Sequence, residues 1–129
     1  MQTIPDEGKV DELELQHSED MTLRLFVNNI TPDRDTVLAD FTECTVGGYA
    51  AKTLTGGSWD VSDNGTEVVA TYAAQEFTFT GSGETAYGWY LEDAAGTVVR
   101  RCALFDAPIT ITADVTITVN PSFEKQQIT

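Results

Sequence analysis

The sequence has very few of the residues from which catalytic and metal sites are usually built. It contains one histidine, His17, and two cysteines, Cys44 and Cys102, in 129 residues. Structural zinc needs several cysteine and histidine ligands at characteristic spacings, so that class of site is excluded. A nucleophile needs an oriented base beside it, and His17 lies in a polar segment that we expect to be too poorly ordered to provide one. We therefore predict that the protein is not an enzyme.

Basic residues and long apolar runs are also scarce. Seven Lys and Arg face 21 Asp and Glu, for a formal net charge of −14. This charge repels phosphate backbones and anionic lipids, so neither nucleic acid nor a membrane surface is an expected partner. No apolar run approaches the roughly 20 residues that span a bilayer, and none resembles a secretory signal. We expect a soluble protein made in a cytoplasm, which favours reduced thiols at Cys44 and Cys102 over a disulfide.

The composition that remains favours one folded domain. Hydrophobic residues make up 41% and charged residues 22% of the chain, as in ordinary globular proteins. We predict an acidic N-terminal arm over residues 1–20 and a single domain over residues 21–129. The arm holds seven acidic side chains and only scattered apolar residues, so it either frays or orders on a partner surface.

Alternation of apolar and polar residues is the clearest structural signal. Over residues 109–120, Ile, Val and Ala alternate with Thr, Asp and Asn, which is typical of a half-buried strand or of two strands joined by a bend. The same period recurs over residues 22–28 and 77–80. Further strands are predicted over residues 49–53, 58–62, 67–72, 86–92 and 98–105.

Glycine, proline and aspartate separate these runs at short intervals, as expected for turns. The segment 92–97 reads as a hairpin loop in which Gly96 takes a positive φ. Residues 36–41 are predicted to form one helical turn capped by Asp35 or Thr36. About eight short strands without a long amphipathic helix predict an all-β fold, an antiparallel β-sandwich that is jelly-roll-like.

Two groups of residues have both a functional and a conformational interpretation. Calcium prefers oxygen ligands, and four such side chains crowd one turn: Asp60, Asp63, Asn64 and Glu67. Turns are also rich in Asp and Asn for backbone reasons, so no metal site or cofactor is predicted. The aromatic residues Tyr87, Trp89 and Tyr90 could stack on sugar rings, although aromatics also dominate the cores of small sandwiches.

Five runs together resemble a family of small virion proteins of tailed phages: TLRLFVNN (22–29), LADFTE (38–43), GYAAKT (48–53), QEFTFT (75–80) and AYGWY (86–90). The strand at 109–119 continues the likeness. The resemblance implies a capsid decoration, or cement, protein that binds the outer capsid surface and stabilises the shell. It also implies a homotrimer whose partner is the major capsid protein, located in the virion. The two cysteines and the acidic arm depart from the pattern.

Contact with the shell is placed on the apolar residues of the arm, because such residues in a polar segment need a partner surface. They are Ile4, Val10, Leu13 and Leu15. The alternative function is a carbohydrate- or host-surface-binding module of a phage tail or fibre, for which the aromatic cluster is the candidate site.

Overall fold

The computed structural model describes residues 19–33, 35–63 and 67–126, and these residues form an all-β fold with antiparallel sheets. The strands are β1 (Met21–Phe26), β2 (Lys52–Leu54), β3 (Asp60–Asp63), β4 (Glu67–Thr71), β5 (Gln75–Thr78), β6 (Thr85–Asp93), β7 (Val99–Thr110), β8 (Thr116–Val119) and β9 (Ser122–Gln126). The prediction of an all-β antiparallel fold with about eight strands is confirmed.

The largest sheet has four strands in the order β2-β1-β6-β7. The alternating residues of β1 explain its central place, because Leu23 and Leu25 are fully buried on one face. In the antiparallel register Leu23 lies opposite Leu91 of β6, and Leu25 lies opposite Trp89. β7 pairs with β6 on the side of β6 that faces away from β1, and the register shifts between Ala86 and Gly88.

Two smaller sheets complete the sandwich-like arrangement: β3-β4-β9 and the pair β5-β8. All three sheets contribute to one hydrophobic core. Its largest fully buried side chains are Phe77, Met21, Leu23, Leu25, Leu54, Leu91, Ile111, Ile117 and Val68. The core lies between the β1–β6 face of the large sheet and the two smaller sheets.

β6 is buried on both faces. Trp89 and Leu91 point into the core, whereas Tyr90 and Glu92 lie on the outer face of the sheet. The outer face is covered by Phe41, whose ring stacks on Tyr90 at a centroid distance of 4.4 Å and an interplanar angle of 8°. The centroid of the Phe26 ring lies 5.0 Å from that of the Phe41 ring. We call Phe26, Phe41 and Tyr90 the outer aromatic cluster.

Asn28 holds in place the segment after β1 that brings Phe41 onto the sheet, which we call the covering segment. Its side-chain amide donates to the carbonyl of Asp40 (2.8 Å) and accepts from the N–H of Thr42 (2.9 Å). Within the covering segment, residues 38–40 form a 3₁₀ turn, so the predicted helical turn is confirmed. The predicted cap was wrong, because the turn begins after Val37, whose N–H donates to the Asp40 carboxylate.

Other predicted strands differ in their bounds. The 109–120 run is divided: residues 109–110 end β7, Ile111 is buried between the strands, and β8 begins at Thr116. The predicted 49–53 strand is replaced by the shorter β2, because the backbone turns before it and the N–H of Tyr49 donates to the carbonyl of Val46 (3.0 Å). The Tyr49 side chain also makes a contact with β1. Its hydroxyl accepts a hydrogen bond from the N–H of Leu25 (3.2 Å).

The β6–β7 hairpin is held by the carboxylate of Asp93. It accepts hydrogen bonds from the Thr97 hydroxyl (2.8 Å), the Thr97 N–H (2.7 Å) and the Val98 N–H (3.1 Å). Gly96 has a φ of 71°, as the sequence predicts for this loop. The hydrogen bonds from Thr97 and Val98 lower the pKa of Asp93 to about 2.

This depressed pKa predicts how the hairpin responds to acid. The stabilising contribution of Asp93 is fully present above the pKa of an unfolded aspartate, roughly 3.9, and is lost as the pH falls through the folded value. We expect the free energy of unfolding of Asp93→Asn to be lower than that of the wild type at pH 5. This gap in free energy should narrow steadily by pH 2. Urea unfolding at pH 5, 3 and 2 measures it, with the exposed Asp106→Asn as control. A gap that stays constant with pH would contradict the assignment.

Candidate functional site

The structure separates the residues that the sequence analysis singled out. The four predicted shell-contact residues, Ile4, Val10, Leu13 and Leu15, and also His17, lie outside the described residues. The last two residues of the predicted arm are described, and both contact the domain. Asp20 accepts a hydrogen bond from the N–H of Gly56 (2.8 Å), and the Glu19 carboxylate lies 3.8 Å from the guanidinium of Arg100.

The aromatic residues do not form an exposed stacking face. Trp89 and Trp59 are 9% and 8% exposed and belong to the core, and Tyr90 is covered by Phe41. Only Tyr87 of the predicted cluster is half-buried rather than buried. The core-packing interpretation of this cluster is confirmed for Trp89, and a sugar ring has no access to its face.

The acidic turn does not bring its described carboxylates together. Asp60 and Asp63 are both exposed on β3, and their spacing of three residues directs them to opposite faces of the strand. Asn64 and the side chain of Glu67 lie outside the described part of the chain. Across residues 19–33, 35–63 and 67–126, no group of three or more His, Cys, Asp or Glu side chains is placed to hold a metal ion. No helix in the same ranges has the length and apolarity to cross a membrane.

The two cysteines are free, and their surroundings make them poor nucleophiles. Cys44 is buried and Cys102 is partly buried on β7. Burial raises the pKa of both thiols, which lowers the fraction of reactive thiolate. Neither cysteine therefore has the low pKa of a catalytic thiol.

An ionic network lies on the outer face of the large sheet beside the outer aromatic cluster. Arg24 donates from Nε to Glu92 (2.6 Å) and from Nη1 to Glu43 (2.5 Å). The Tyr49 hydroxyl also donates to Glu43 (2.9 Å), while it accepts from the N–H of Leu25. One arginine thus joins two carboxylates that belong to β6 and to the segment covering the sheet.

Burial and charge shift the pKa values in this network. Burial opposes the charge of Arg24, but the hydrogen bonds to Glu43 and Glu92 outweigh it and raise the pKa of the guanidinium. Burial and the neighbouring Glu43 carboxylate raise the pKa of Tyr90 to about 12 and that of Tyr49 still further. The tyrosines stay protonated and Arg24 stays charged at any physiological pH. We conclude that the network fixes the covering segment in place and does not transfer protons.

The surface best suited to contact is the edge of the large sheet formed by β7. This strand has 12 residues and pairs only with β6 among the described strands. A sheet edge presents backbone N–H and C=O groups that another chain segment can pair with. Leu104, in the middle of the strand, is 46% exposed. Part of the edge is protected by an irregular stretch of β7. Leu104 pairs with Gly88 and Ile109 pairs with Ala86, so β7 has extra, unpaired residues between these two pairs.

An apolar groove adjoins the beginning of this strand. It has a volume of about 260 Å³ and lies between the 3₁₀ turn and the β6–β7 hairpin. Its lining includes Val37, Leu38, Val98 and Val99, and Val37 and Val98 are 56% and 49% exposed. We call the free side of β7 together with this groove the β7 edge. The large apolar side chains that are exposed among the described residues, Val37, Val98 and Leu104, all belong to it.

Positive charge also collects on the β7 edge. Two of the seven basic residues, Arg100 and Arg101, are adjacent at the beginning of β7. The Nε atom of Arg100 is buried and has no hydrogen-bond acceptor among the described residues.

Sequence reasoning did not find the β7 edge. The alternation over residues 98–105 predicts the strand, but strand order decides which strand has a free side. The nearest signal in the sequence is the adjacent pair Arg100 and Arg101, but neighbouring residues in a strand point to opposite faces, so the pair does not reveal a free sheet edge.

Comparisons with known proteins add no relative: no protein-family model, curated protein or solved structure matches the chain. The features of the chain itself that bear on function are the all-β scaffold, the strongly acidic composition and the β7 edge.

Proposed function

We propose that the chain is a structural protein of a tailed-phage virion, a capsid decoration protein that binds the outer surface of the shell and stabilises it. Its partner in this proposal is the major capsid protein, and the bound form is a homotrimer. A jelly-roll-like path of the chain is part of the same proposal. The observation that carries the proposal is the resemblance of five sequence runs to such proteins. Three of these runs overlap β1, β5 and β6, which supply the core.

The physical character of the chain supports this role. A decoration protein stabilises a shell by binding the assembled state preferentially, so it needs a rigid scaffold and contact surfaces. Here a continuous core fixes the scaffold, and the β7 edge offers exposed apolar side chains beside a basic pair. The net charge of −14 keeps an abundant protein soluble and repels the genome before assembly.

The proposed shell contact combines the apolar residues of the arm with the β7 edge. The Glu19 carboxylate, near the end of the arm, lies 3.8 Å from the guanidinium of Arg100 at the beginning of β7. Ile4, Val10, Leu13 and Leu15 supply apolar groups that the acidic arm cannot bury by itself. Such a segment can cover a large shell surface at the cost of its own ordering entropy.

The experiment mixes the full chain with capsids that lack a decoration protein. We expect saturable, stoichiometric binding in a sedimentation assay and a higher melting temperature of the capsid. Ile4→Asp is expected to weaken binding roughly tenfold if Ile4 fills an apolar site on the shell. Thr78→Asp, a charge added to an exposed position of β5, is the matched control and is expected to bind like the wild type.

Two results would overturn the proposal. One is the absence of stoichiometric binding by the wild-type chain. The other is a capsid melting temperature that does not rise when the chain is bound. Light scattering on the free and capsid-released protein separately tests the trimer, because it gives the mass of the assembly.

A further inference from the structure

We propose that residues 35–42, the part of the covering segment that carries the 3₁₀ turn and Phe41, act as a lid. The lid opens from the outer face of the large sheet as one unit while the core stays folded. Its opening uncovers the aromatic face of β6 and separates the two walls of the apolar groove. This inference concerns the free protein and does not depend on the proposed capsid role. It is supported by the burial of the lid, by the contacts that hold it and by its place in the groove.

The lid covers buried residues but is not itself buried. Every residue from 35 to 42 is exposed or half-buried, and Phe41 is one of the half-buried ones. Beneath it, Phe26 and Tyr90 are 0% and 4% exposed. No lid residue belongs to the hydrophobic core between the sheets. Detaching the lid therefore exposes the outer aromatic cluster and leaves that core intact.

The contacts that hold the lid on the sheet are concentrated around Phe41. The Phe41 ring stacks on Tyr90, and the carbonyl of Thr42 accepts a hydrogen bond from the N–H of Val27 (2.8 Å). The Asn28 side chain bonds to the backbone on either side of Phe41. Local openings that break few buried contacts need much less free energy than global unfolding. We therefore expect the lid to open far more often than the whole domain unfolds.

The lid also has hydrogen bonds of its own, which do not involve the sheet. The N–H of Val37 donates to the Asp40 carboxylate (2.9 Å), and the N–H of Asp40 donates to the carbonyl of Val37 (3.0 Å). The N–H of Phe41 donates to the carbonyl of Leu38 (3.3 Å). Because none of these bonds is broken when the lid detaches, the turn can move as one body.

The hinge at the end of the lid is fixed by the ionic network. Glu43, the residue after the lid, accepts hydrogen bonds from Arg24 and from the Tyr49 hydroxyl. Its neighbour Cys44 is buried, and the N–H of Cys44 donates to the carbonyl of Leu25 (3.0 Å). The network thus holds the covering segment at Glu43, where the lid begins to move.

The lid forms one wall of the apolar groove. Val37 and Leu38 line the groove from the lid, whereas Val98 and Val99 line it from the β6–β7 hairpin. The groove therefore exists only while the lid is closed. A partner that fills the groove binds the closed state alone, so it must also hold the lid shut. In this way the lid couples the β7 edge to the outer face of the sheet.

Native-state hydrogen exchange followed by NMR tests the lid in the full chain, at a pH where exchange follows the opening equilibrium. The amide of Val27 reports lid opening, because its hydrogen bond is made to Thr42. The slowest amides of β1 and β6 report global unfolding. After correction for intrinsic rates, we expect Val27 to exchange at least about a hundredfold faster than those amides.

Two substitutions distinguish lid opening from global unfolding. Ile117→Val weakens packing in the core on β8, which stays intact when the lid opens. It should speed exchange of the slowest amides roughly fivefold and leave the exchange of Val27 unchanged. Phe41→Ala removes a contact that is lost in both the open and the unfolded states. It should therefore speed exchange of Val27 and of the slowest amides by the same factor, about tenfold.

A cross-link across the groove tests the connection between lid and groove. Val37→Cys and Val98→Cys are combined with Cys44→Ala and Cys102→Ala, and the two thiols are joined by a short bismaleimide. The cross-link should slow exchange of the Val27 amide at least about tenfold, because it ties the lid to the hairpin. The control is the same variant with both thiols capped by N-ethylmaleimide. Circular dichroism of each variant checks that the domain remains folded.

Three results would each overturn the proposal. The first is an Ile117→Val variant in which the Val27 amide is accelerated as much as the slowest amides, since the lid would then open only by global unfolding. The second is a Phe41→Ala variant in which exchange of Val27 is unchanged. The third is a cross-linked protein whose Val27 amide exchanges as fast as in the capped control. Failure of the capsid-binding experiment leaves these measurements unaffected, so the two proposals are tested separately.

Discussion

Gly88→Ala is expected to lower the free energy of unfolding by about 3 kcal/mol, at the upper end of the cost of overpacking a core. A Cβ atom at Gly88 would lie 2.1 Å from the backbone oxygen of Ala103 and 2.7 Å from the ring of Phe26. The ring can rotate away, but the oxygen belongs to the neighbouring strand β7 and cannot move without disturbing the sheet. Urea denaturation of the variant and the wild type measures the difference.

Two further variants separate the contacts at Gly88. Gly88→Ala combined with Phe26→Leu relieves the contact with the ring and leaves the one with the carbonyl, so we expect no recovery of stability. Gly57→Ala is the control, because Gly57 has a φ of 83° and no atom within 4 Å of its would-be Cβ. It should cost only the backbone strain, about 1 kcal/mol. If Gly88→Ala were no more costly than this control, the close packing at Gly88 would be refuted.

Arg24→Leu is expected to cost about 2 kcal/mol, because it leaves Glu43 and Glu92 without their shared cation. Breaking a fully buried pair typically costs 3–5 kcal/mol. The side chains of Arg24 and Glu43 are about a third exposed (29% and 34%), and solvent screening reduces the effect. Glu92 is the most buried partner, with its side chain 10% exposed, and it accounts for most of the expected loss.

A double-mutant cycle tests this explanation. If the loss comes from an uncompensated carboxylate, Arg24→Leu combined with Glu92→Leu should be more stable than Arg24→Leu alone. Lys52→Leu, a cation removed from β2 in the same sheet, serves as the control and should change stability by less than about 1 kcal/mol. An additive cycle would show that Arg24 acts through packing of its aliphatic stem.

The strands of the fold could be predicted because alternation reports which side chains face a core. Leu23 and Leu25 of β1 alternate with polar residues, and both are fully buried. By the same rule, the neighbouring residues Trp89 and Tyr90 lie on opposite faces of β6. It could not show that the second face is also covered, because the covering residue, Phe41, comes from an irregular segment and meets Tyr90 only in the folded chain.

The candidate site was less predictable for a similar reason. Sequence shows that residues 98–105 form a strand, but the strand order that exposes the far side of β7 depends on which strands pair. The ionic network was missed as well, since Arg24 is separated by 68 residues from Glu92 and by 19 from Glu43. Charged residues that are so far apart in sequence form no pattern from which their contact could be predicted in a single sequence.

The two-sided burial of β6 divides the apolar interior of the molecule into separate compartments. Phe77 belongs to the compartment between the sheets, whereas Phe41 belongs to the one outside the large sheet, and the backbone of β6 stands between them. Phe77 and Phe41 share no ring contact, so the effects of substitutions at these two positions on stability should add. Either ring can therefore be exchanged for another apolar side chain without a matching change in the other.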